Sequence, residues 1–329
     1  VKRLTKMSIA ALAAVTVLNL SRPSPAAAPE WPTLPAMVDD GTLSVMTYNV
    51  KGLPFPLAQD RRAALAGIGE ALRELRLAGR QPDVIVLQEA FTPEAKAIAR
   101  RAGYAHVVTG ADADTQLEPN GAGDAFLQQA SWIHGEGMGR WLDSGLVILS
   151  DLPIVRVRSM VFPDTMCAGF DCLAAKGVVI AWVSVPGRER PLAIADTHFN
   201  ARKAAGVGPE RANRAFARQA RAARDFISAN VDPGDDLVFG GDFNIGKDKA
   251  RILAARDLVP GGREASALAD CSSCAPELHA DVAAIRKRGK DKQFYRGALR
   301  LKGLEVPLGG ARGRALSDHL GYVARYELN

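Results

Sequence analysis

The sequence predicts an α/β fold in which two β-sheets pack face to face with helices outside, and three observations carry that prediction. Apolar runs of strand length outnumber helical repeats. Several of these runs, such as Val84–Leu87 and Val178–Val183, are apolar throughout, as strands covered on both faces are. Polar clusters recur at the ends of the runs, which sets them along one rim of layered sheets.

The elements follow in order. LSVMTYNV (43–50) alternates as a strand does, and the stretch 60–79 has helical spacing at Leu65, Ile68, Leu72 and Leu75, with Gly79 suited to the C-cap. PDVIVLQEA (82–90) is a doubly covered strand ending at Gln88–Glu89. TPEAKAIARRAG (92–103) is a short helix with Pro93 near its start. Residues 110–144, rich in Gly and Asp, are expected as a long surface loop near the site. Strands follow at 144–154, 176–185 and 190–200, then a long helix over 208–230. The segments 236–244 and 319–328 are the last two strands. No internal repeat is visible, and one domain over 41–329 is the simplest organisation.

The N-terminus is expected to lie outside that domain. Lys2, Arg3 and Lys6 precede the apolar run Met7–Leu20, and Ala26 and Ala28 offer an A-x-A cleavage site. This is the pattern of a secretory signal peptide over 1–28, followed by an extended Pro/Ala-rich segment over 29–40. The run is short for a membrane span of about 20 residues. A secreted or periplasmic protein is therefore expected. The whole chain has 42 basic and 36 acidic residues, a formal +6. Lys2, Arg3, Lys6 and Arg22 leave with the leader, so the mature balance is 38 against 36, or +2. The high pI is then weak support for a nucleic-acid partner.

Four cysteines stand as Cys167-x4-Cys172 and Cys271-x2-Cys274. In an oxidising compartment they read as two local disulfides. A zinc site would need both distant loops to converge, and a redox CxxC at Cys271 lacks a surrounding thioredoxin-like pattern.

Five clusters carry chemistry: YNVKG (48–52), LQEAF (87–91), DTHFNA (196–201), GGDFNIG (240–246) and SDHLG (317–321). Singly, each has an ordinary explanation as a turn, a cap or a satisfied core histidine. Together they are rich in oxygen ligands and histidine and lack a nucleophilic side chain. That set points to an activated water and a hard cation. In GGDFN, Gly240 and Gly241 are expected to let the backbone bend at the rim. Asp242 and Asn244, two apart on an extended segment, would point the same way, and Phe243 the other way into packing.

In order and wording these clusters resemble the endonuclease/exonuclease/phosphatase superfamily, with its deoxyribonuclease-I-like fold. The resemblance spans Asn49 to His319. It implies a four-layer α/β sandwich and phosphate-ester hydrolysis with Mg²⁺, or Mn²⁺ or Ca²⁺. It also implies roles. Glu89, with Asn49 beside it, would hold the metal, and Asp318 would lie close to it. Asp242 would orient or deprotonate the attacking water, and Asn244 would hold that water or a phosphate oxygen. His198 would donate to a phosphoryl oxygen, and His319 would be the other catalytic imidazole. The family's Asp partner of that histidine is best matched by Asp291 in KDKQFYRG, although Lys292 and Gln293 depart from the pattern. The alternative for Asp291 is a solvated charge in a basic loop.

The stretch CAGFDCLAAKGVVIAWV (167–183) resembles the neutral sphingomyelinase branch of the superfamily. That implies a secreted phosphodiesterase of the phospholipase C kind, acting as a monomer on phospholipid at a membrane surface. Bacterial sphingomyelinases resemble one another in a hairpin with exposed aromatics, yet between Asn244 and Asp318 only Phe294 and Tyr295 are aromatic. CSSCAPELHADVAAIRKRGKDK (271–292) is polar and basic instead, suited to anionic headgroups or to a nucleic-acid backbone. A secreted nuclease is the alternative. A non-catalytic binding module is disfavoured, because the set of candidate residues is intact.

Overall fold

The computed structural model of the chain describes residues 41–115, 124–310 and 315–328. All of them belong to one compact unit, Pro35–Asn329. The expected signal peptide and extended segment lie outside the described residues.

Two six-stranded mixed sheets pack face to face between helices, as expected. The first contains β1 (Thr42–Asn49), β2 (Val84–Gln88), β3 (His106–Thr109), β4 (Val147–Ser150), β11 (Leu299–Leu308) and β12 (Gly321–Leu328). Its order is β11-β12-β1-β2-β4-β3. The second contains β5 (Ile154–Val161), β6 (Gly177–Val183), β7 (Leu192–His198), β8 (Leu237–Asp242), β9 (Arg263–Glu264) and β10 (Asp291–Arg296). Its order is β5-β6-β7-β8-β10-β9. Each sheet has one parallel pair near its centre, β1 with β2 and β7 with β8, and the other pairings are antiparallel. The two parallel pairs aim the C-terminal ends of their strands at a common rim, and ligands gather at such ends in α/β sheets.

Alternation along the strands builds the layers. Val45, Val86 and Ile148 face Val179, Ile194 and Val238 between the sheets. Met46, Ile85 and Leu87 turn outward onto Leu65, Ile68 and Leu72 of α1 (Arg61–Leu77). Ile180, Trp182 and Phe239 pack with Phe216, Ala220 and Ile227 of α4 (Pro209–Asn230). Each large side chain buried this way stabilises the fold by roughly 1.5–3 kcal/mol.

Some elements differ from the expectation. The helix expected over 92–103 is broken at Ala97 into α2 (Pro93–Lys96) and α3 (Ile98–Ala102). Thr92 caps the start through the Ala95 N–H, and Gly103 ends it with φ 78°. Three further helices, α5 (Lys249–Ala254), α6 (Ala265–Leu268) and α7 (Pro276–Arg288), lie in the stretch between Asn244 and Asp318. The described part of 110–144 is pinned rather than loose, because Phe126 and Glu136 are buried and short 3₁₀ turns form at Leu127–Gln129 and Trp132–His134. Both local disulfides are present, Cys167–Cys172 and Cys271–Cys274. Among the described residues, no helix is long and apolar enough to cross a membrane.

Candidate active site

Strand register assembles the site. In the parallel pair β1–β2, Asn49 lies beside Gln88, so Glu89 leaves the sheet next to Asn49. In the second sheet His198, Asp242 and Asp291 stand side by side on β7, β8 and β10. The sheets face each other, so these two rows meet at the rim. Asn49 joins them: its Nδ2 donates to Glu89 Oε1 at 2.8 Å and lies 3.1 Å from Asp242 Oδ2. Deeper down, Gln88 Nε2 donates to Asp196 Oδ1 across the interface. Burial pushes the Asp196 carboxyl well above the usual range, against the hydrogen bond from Gln88.

Backbone strain concentrates here. Only four described non-glycine residues have positive φ, and two of them are Glu89 (56°) and Asn244 (50°). GGDFN therefore differs from the extended segment expected. Asn244 folds back, its N–H donating to Asp242 Oδ1 and its Nδ2 to the Phe199 carbonyl. The glycines do not bend the chain. They lie within β8, where a Cβ on Gly240 would come within 2.7 Å of Val86 and one on Gly241 would strike the Thr197 carbonyl oxygen. They permit close approach of the opposite sheet and of β7. Phe243 does pack inward, against Phe199, Phe239 and Phe294.

Two imidazoles flank Asp242 in different environments. His319 Nδ1 lies 2.7 and 2.9 Å from the two oxygens of Asp291, and its Nε2 is 3.6 Å from Asp242 Oδ2. Burial pushes His319 down, but the Asp291 and Asp242 carboxylates outweigh it and raise its pKa. Asp291 is buried in β10 and is no solvated loop charge. Burial raises its own pKa, against the pull of His319. Ser317 Oγ accepts from the His319 N–H and donates to the Asn49 carbonyl, which ties this loop to β1.

His198 Nε2 lies 3.7 Å from Asp242 Oδ2, 3.9 Å from Glu89 Oε1 and 3.3 Å from Lys176 Nζ. Its Nδ1 is buried without a hydrogen-bond partner. Burial, reinforced by Lys176, drives its pKa down to about 3, so His198 is neutral. An ammonium only donates, so Nε2 is the accepting nitrogen in this arrangement. Burial also raises the Glu89 pKa, against the hydrogen bond from Asn49. Burial pushes Asp242 up as well, but His319, His198 and Lys290 outweigh it, and its carboxyl is held well below the usual range.

Two sets of potential ligand atoms lie within 4.8 Å of one another, Glu89–His198–Asp242 and Asp242–Asp291–His319. In the second, both Asp291 oxygens are engaged by His319. The first offers the two carboxylates of Glu89 and Asp242, which fit a divalent cation, and the neutral His198, whose Nε2 would have to exchange Lys176 for the cation. The Asn49 Oδ1 expected near the metal accepts from the Lys51 N–H at 3.0 Å, so Asn49 presents its NH₂ to the carboxylates. Asp318 stands apart from both sets. Its side chain is 55% exposed and pairs with Lys51 at 3.4 Å. Burial raises the Asp318 pKa, but His319 and Lys51 outweigh it and hold it low.

The structure adds residues that the motifs did not assign. Lys176, nearly fully buried, forms an ion pair with Asp171 and touches His198 and the Phe199 carbonyl. A lone lysine heading an otherwise apolar strand was the available signal. Arg251 is fully buried and donates to the Asn200 and Asn244 carbonyls at 2.7 and 2.8 Å, bracing the loops after β7 and β8. Desolvation lowers its pKa to about 10, so it stays charged.

The chain belongs to the Endonuclease/Exonuclease/phosphatase family, whose pattern matches residues 46–319. Members of this family are phosphoesterase hydrolases that depend on a divalent metal. Similar solved structures include sphingomyelinase C from Streptomyces griseocarneus (20% identity, TM-score 0.59, covering 86% of this chain and 99% of that one). Another is a beta toxin mutant from Staphylococcus aureus with bound magnesium ions (18%, 0.60, 86% and 98%). A third is D. rerio TDP2 complexed with single-strand DNA product (19%, 0.54, 87% and 99%). At these identities the likeness is one of fold. No curated protein matches the chain.

Proposed function

We propose that the chain is an exported, divalent-metal-dependent phosphodiesterase that releases the headgroup of a phospholipid, in the manner of a sphingomyelinase or phospholipase C. The observation that carries this reading is the segment Cys167–Lys176. It holds the sphingomyelinase-like wording of the sequence and delivers Lys176 onto His198 inside the site. The leader over 1–28 and the two disulfides support export. The sphingomyelinase C structure among the similar folds agrees with the substrate class.

A divalent cation held by Glu89, with Asp242 and His198 around it, would supply positive charge to the phosphoryl and leaving oxygens. Asp242, buried and ionised, takes the proton of the attacking water as the new O–P bond forms and the bond to the lipid oxygen breaks, and the departing lipid oxygen takes up a proton from solvent to leave as the alcohol. Asn244, turned back on Asp242, fixes the orientation of that carboxylate. His319, held by Asp291, presents Nε2 to a non-bridging oxygen. On the other flank the ammonium of Lys176 supplies the charge that neutral His198 lacks. Asn49 keeps the two carboxylates in register by donating to both.

A secreted nuclease is the second reading, favoured by Lys290 close enough to act on Asp242 and by Arg288 donating to the Asp318 carbonyl. Sphingomyelin, lysophospholipid, plasmid DNA and a phosphomonoester, each tested with Mg²⁺ and with EDTA, separate the two. Mg²⁺-dependent headgroup release supports the lipid reading, and DNA nicking alone overturns it.

A further inference from the structure

Three loop segments lock together beside His198. Trp141 N–H donates to the Leu173 carbonyl at 2.8 Å, and Phe170 N–H to the Ala205 carbonyl at 2.9 Å. Ala168 N–H donates to Asn200 Oδ1 at 2.8 Å, and the Cys167–Cys172 disulfide closes the middle segment. The buried Glu136 carboxylate accepts from the Ser131 and Gly169 N–H groups and from Arg211. Asp171, in the same segment, pairs with the Lys176 that touches His198. This platform is therefore continuous with the catalytic rim.

Its outer face is apolar. Trp132 (71% exposed), Ile133 (62%), Met138 (41%), Trp141 (62%) and Phe170 (49%) all face solvent. A rigid platform bearing five large exposed apolar side chains marks an interaction surface. Within 131–142, 168–173 and 201–208 the only carboxylates are Glu136 and Asp171, and ion pairs with Arg211 and Lys176 engage both. Arg202 and Lys203 are exposed there; Arg202 pairs with Asp248 at 3.1 Å, and Lys203 supplies the accessible positive charge.

We propose that this platform is a lipid-docking surface: its five apolar side chains enter the headgroup layer of a phospholipid bilayer while Lys203 meets the phosphates. The proposal rests on the phospholipid reading of the site and names how that site reaches its substrate. Tryptophan prefers the membrane interface, where its ring is apolar and its N–H stays solvated. Single-stranded nucleic acid could stack on the aromatics, but Ile133 and Met138 offer no ring face for a base. They suit acyl chains and glycerol backbones instead.

The test uses the full chain with sucrose-loaded vesicles of phosphatidylcholine and phosphatidylglycerol, in EDTA so that turnover does not consume the lipid. Wild type should sediment with the vesicles, with a blue shift of tryptophan emission. W132A/W141A should lose roughly tenfold or more of that binding, together with the shift. Its hydrolysis of soluble bis(p-nitrophenyl) phosphate with Mg²⁺ should stay within about twofold of wild type. I133E should lose binding in the same way, which guards against a folding defect in the double variant. L77S removes an exposed leucine at the end of α1 remote from the rim and should bind like wild type. Undiminished vesicle binding by W132A/W141A and I133E would overturn the proposal. So would equal loss in L77S, or rim-dependent binding of single-stranded DNA with none of vesicles. If those variants still bind and headgroup is still released, docking fails and the phospholipid reading stands. If wild type binds through Trp132 and Trp141 but releases no headgroup, the reading fails and docking stands.

Discussion

The two flanks of Asp242 use the same side chain to opposite ends. On the β10 flank, His319 is backed by a buried carboxylate, Asp291, and its pKa is raised. On the β7 flank, His198 faces a buried ammonium, Lys176, and its pKa falls to about 3. Both imidazoles are buried and both lie within 4 Å of Asp242. The difference comes from the neighbouring charge, a carboxylate on β10 for His319 and an ammonium just before β6 for His198. On the His319 flank the two carboxylates favour positive charge on the imidazole. The His198 flank carries it on Lys176 and leaves the histidine neutral, with Nε2 turned to the ammonium.

Asp242 is common to both flanks, so D242N should produce the largest loss, about 10³-fold or more in kcat with Mg²⁺; a loss below tenfold would remove Asp242 from the chemistry. Breaking one flank should cost less. D291N and K176M should each lower kcat by about 10- to 100-fold with unchanged circular dichroism. If K176M turned over like wild type, the charge on the His198 flank would be dispensable.

The platform behind the His198 flank should respond to acid. Burial raises the Glu136 pKa, but Arg211 and the Gly169 and Ser131 N–H groups outweigh it and hold the carboxyl below its ordinary value. Its stabilisation is therefore full above the unfolded value of about 4.3 and is lost as pH falls through the folded value. E136Q should lose about 3 kcal/mol in urea denaturation at pH 7 and lose less further stability than wild type between pH 5 and 3. Equal acid sensitivity of the two would contradict the ion-pair account. The smallest effect is expected of D318N. An exposed pair with Lys51 is worth about 0–1 kcal/mol, so turnover should change by no more than about threefold. A complete loss would restore Asp318 to the metal.

Four strands that build the site, β1, β2, β7 and β8, were legible because burial on both faces leaves apolar runs, and the polar residues closing them stand out. Strands β3, β5, β10 and β11 were not. His106–Thr109 is half exposed, Ile154–Val161 is mostly exposed, and DKQFYR carries charge where Asp291 serves the site and Lys292 pairs with Glu264. Spacing could not foresee the left-handed turn at Asn244, because it is set by a hydrogen bond back to Asp242. Nor could it show that Lys176 would meet His198 or that Arg251 would reach the Asn200 carbonyl, because those contacts join separate elements. Gly240 is needed for proximity to Val86 rather than for a bend, whereas Gly241 combines proximity to Thr197 with a positive φ of 152°.

The cation is expected on the Glu89–His198 flank, while the Asp291–His319 pair holds Nε2 toward a phosphoryl oxygen without binding metal. Anomalous diffraction from crystals soaked in Mn²⁺ tests it directly. The account predicts a peak bounded by Glu89, Asp242 and His198, abolished in E89A. A peak held instead by Asp291 and His319, retained in E89A, would contradict it.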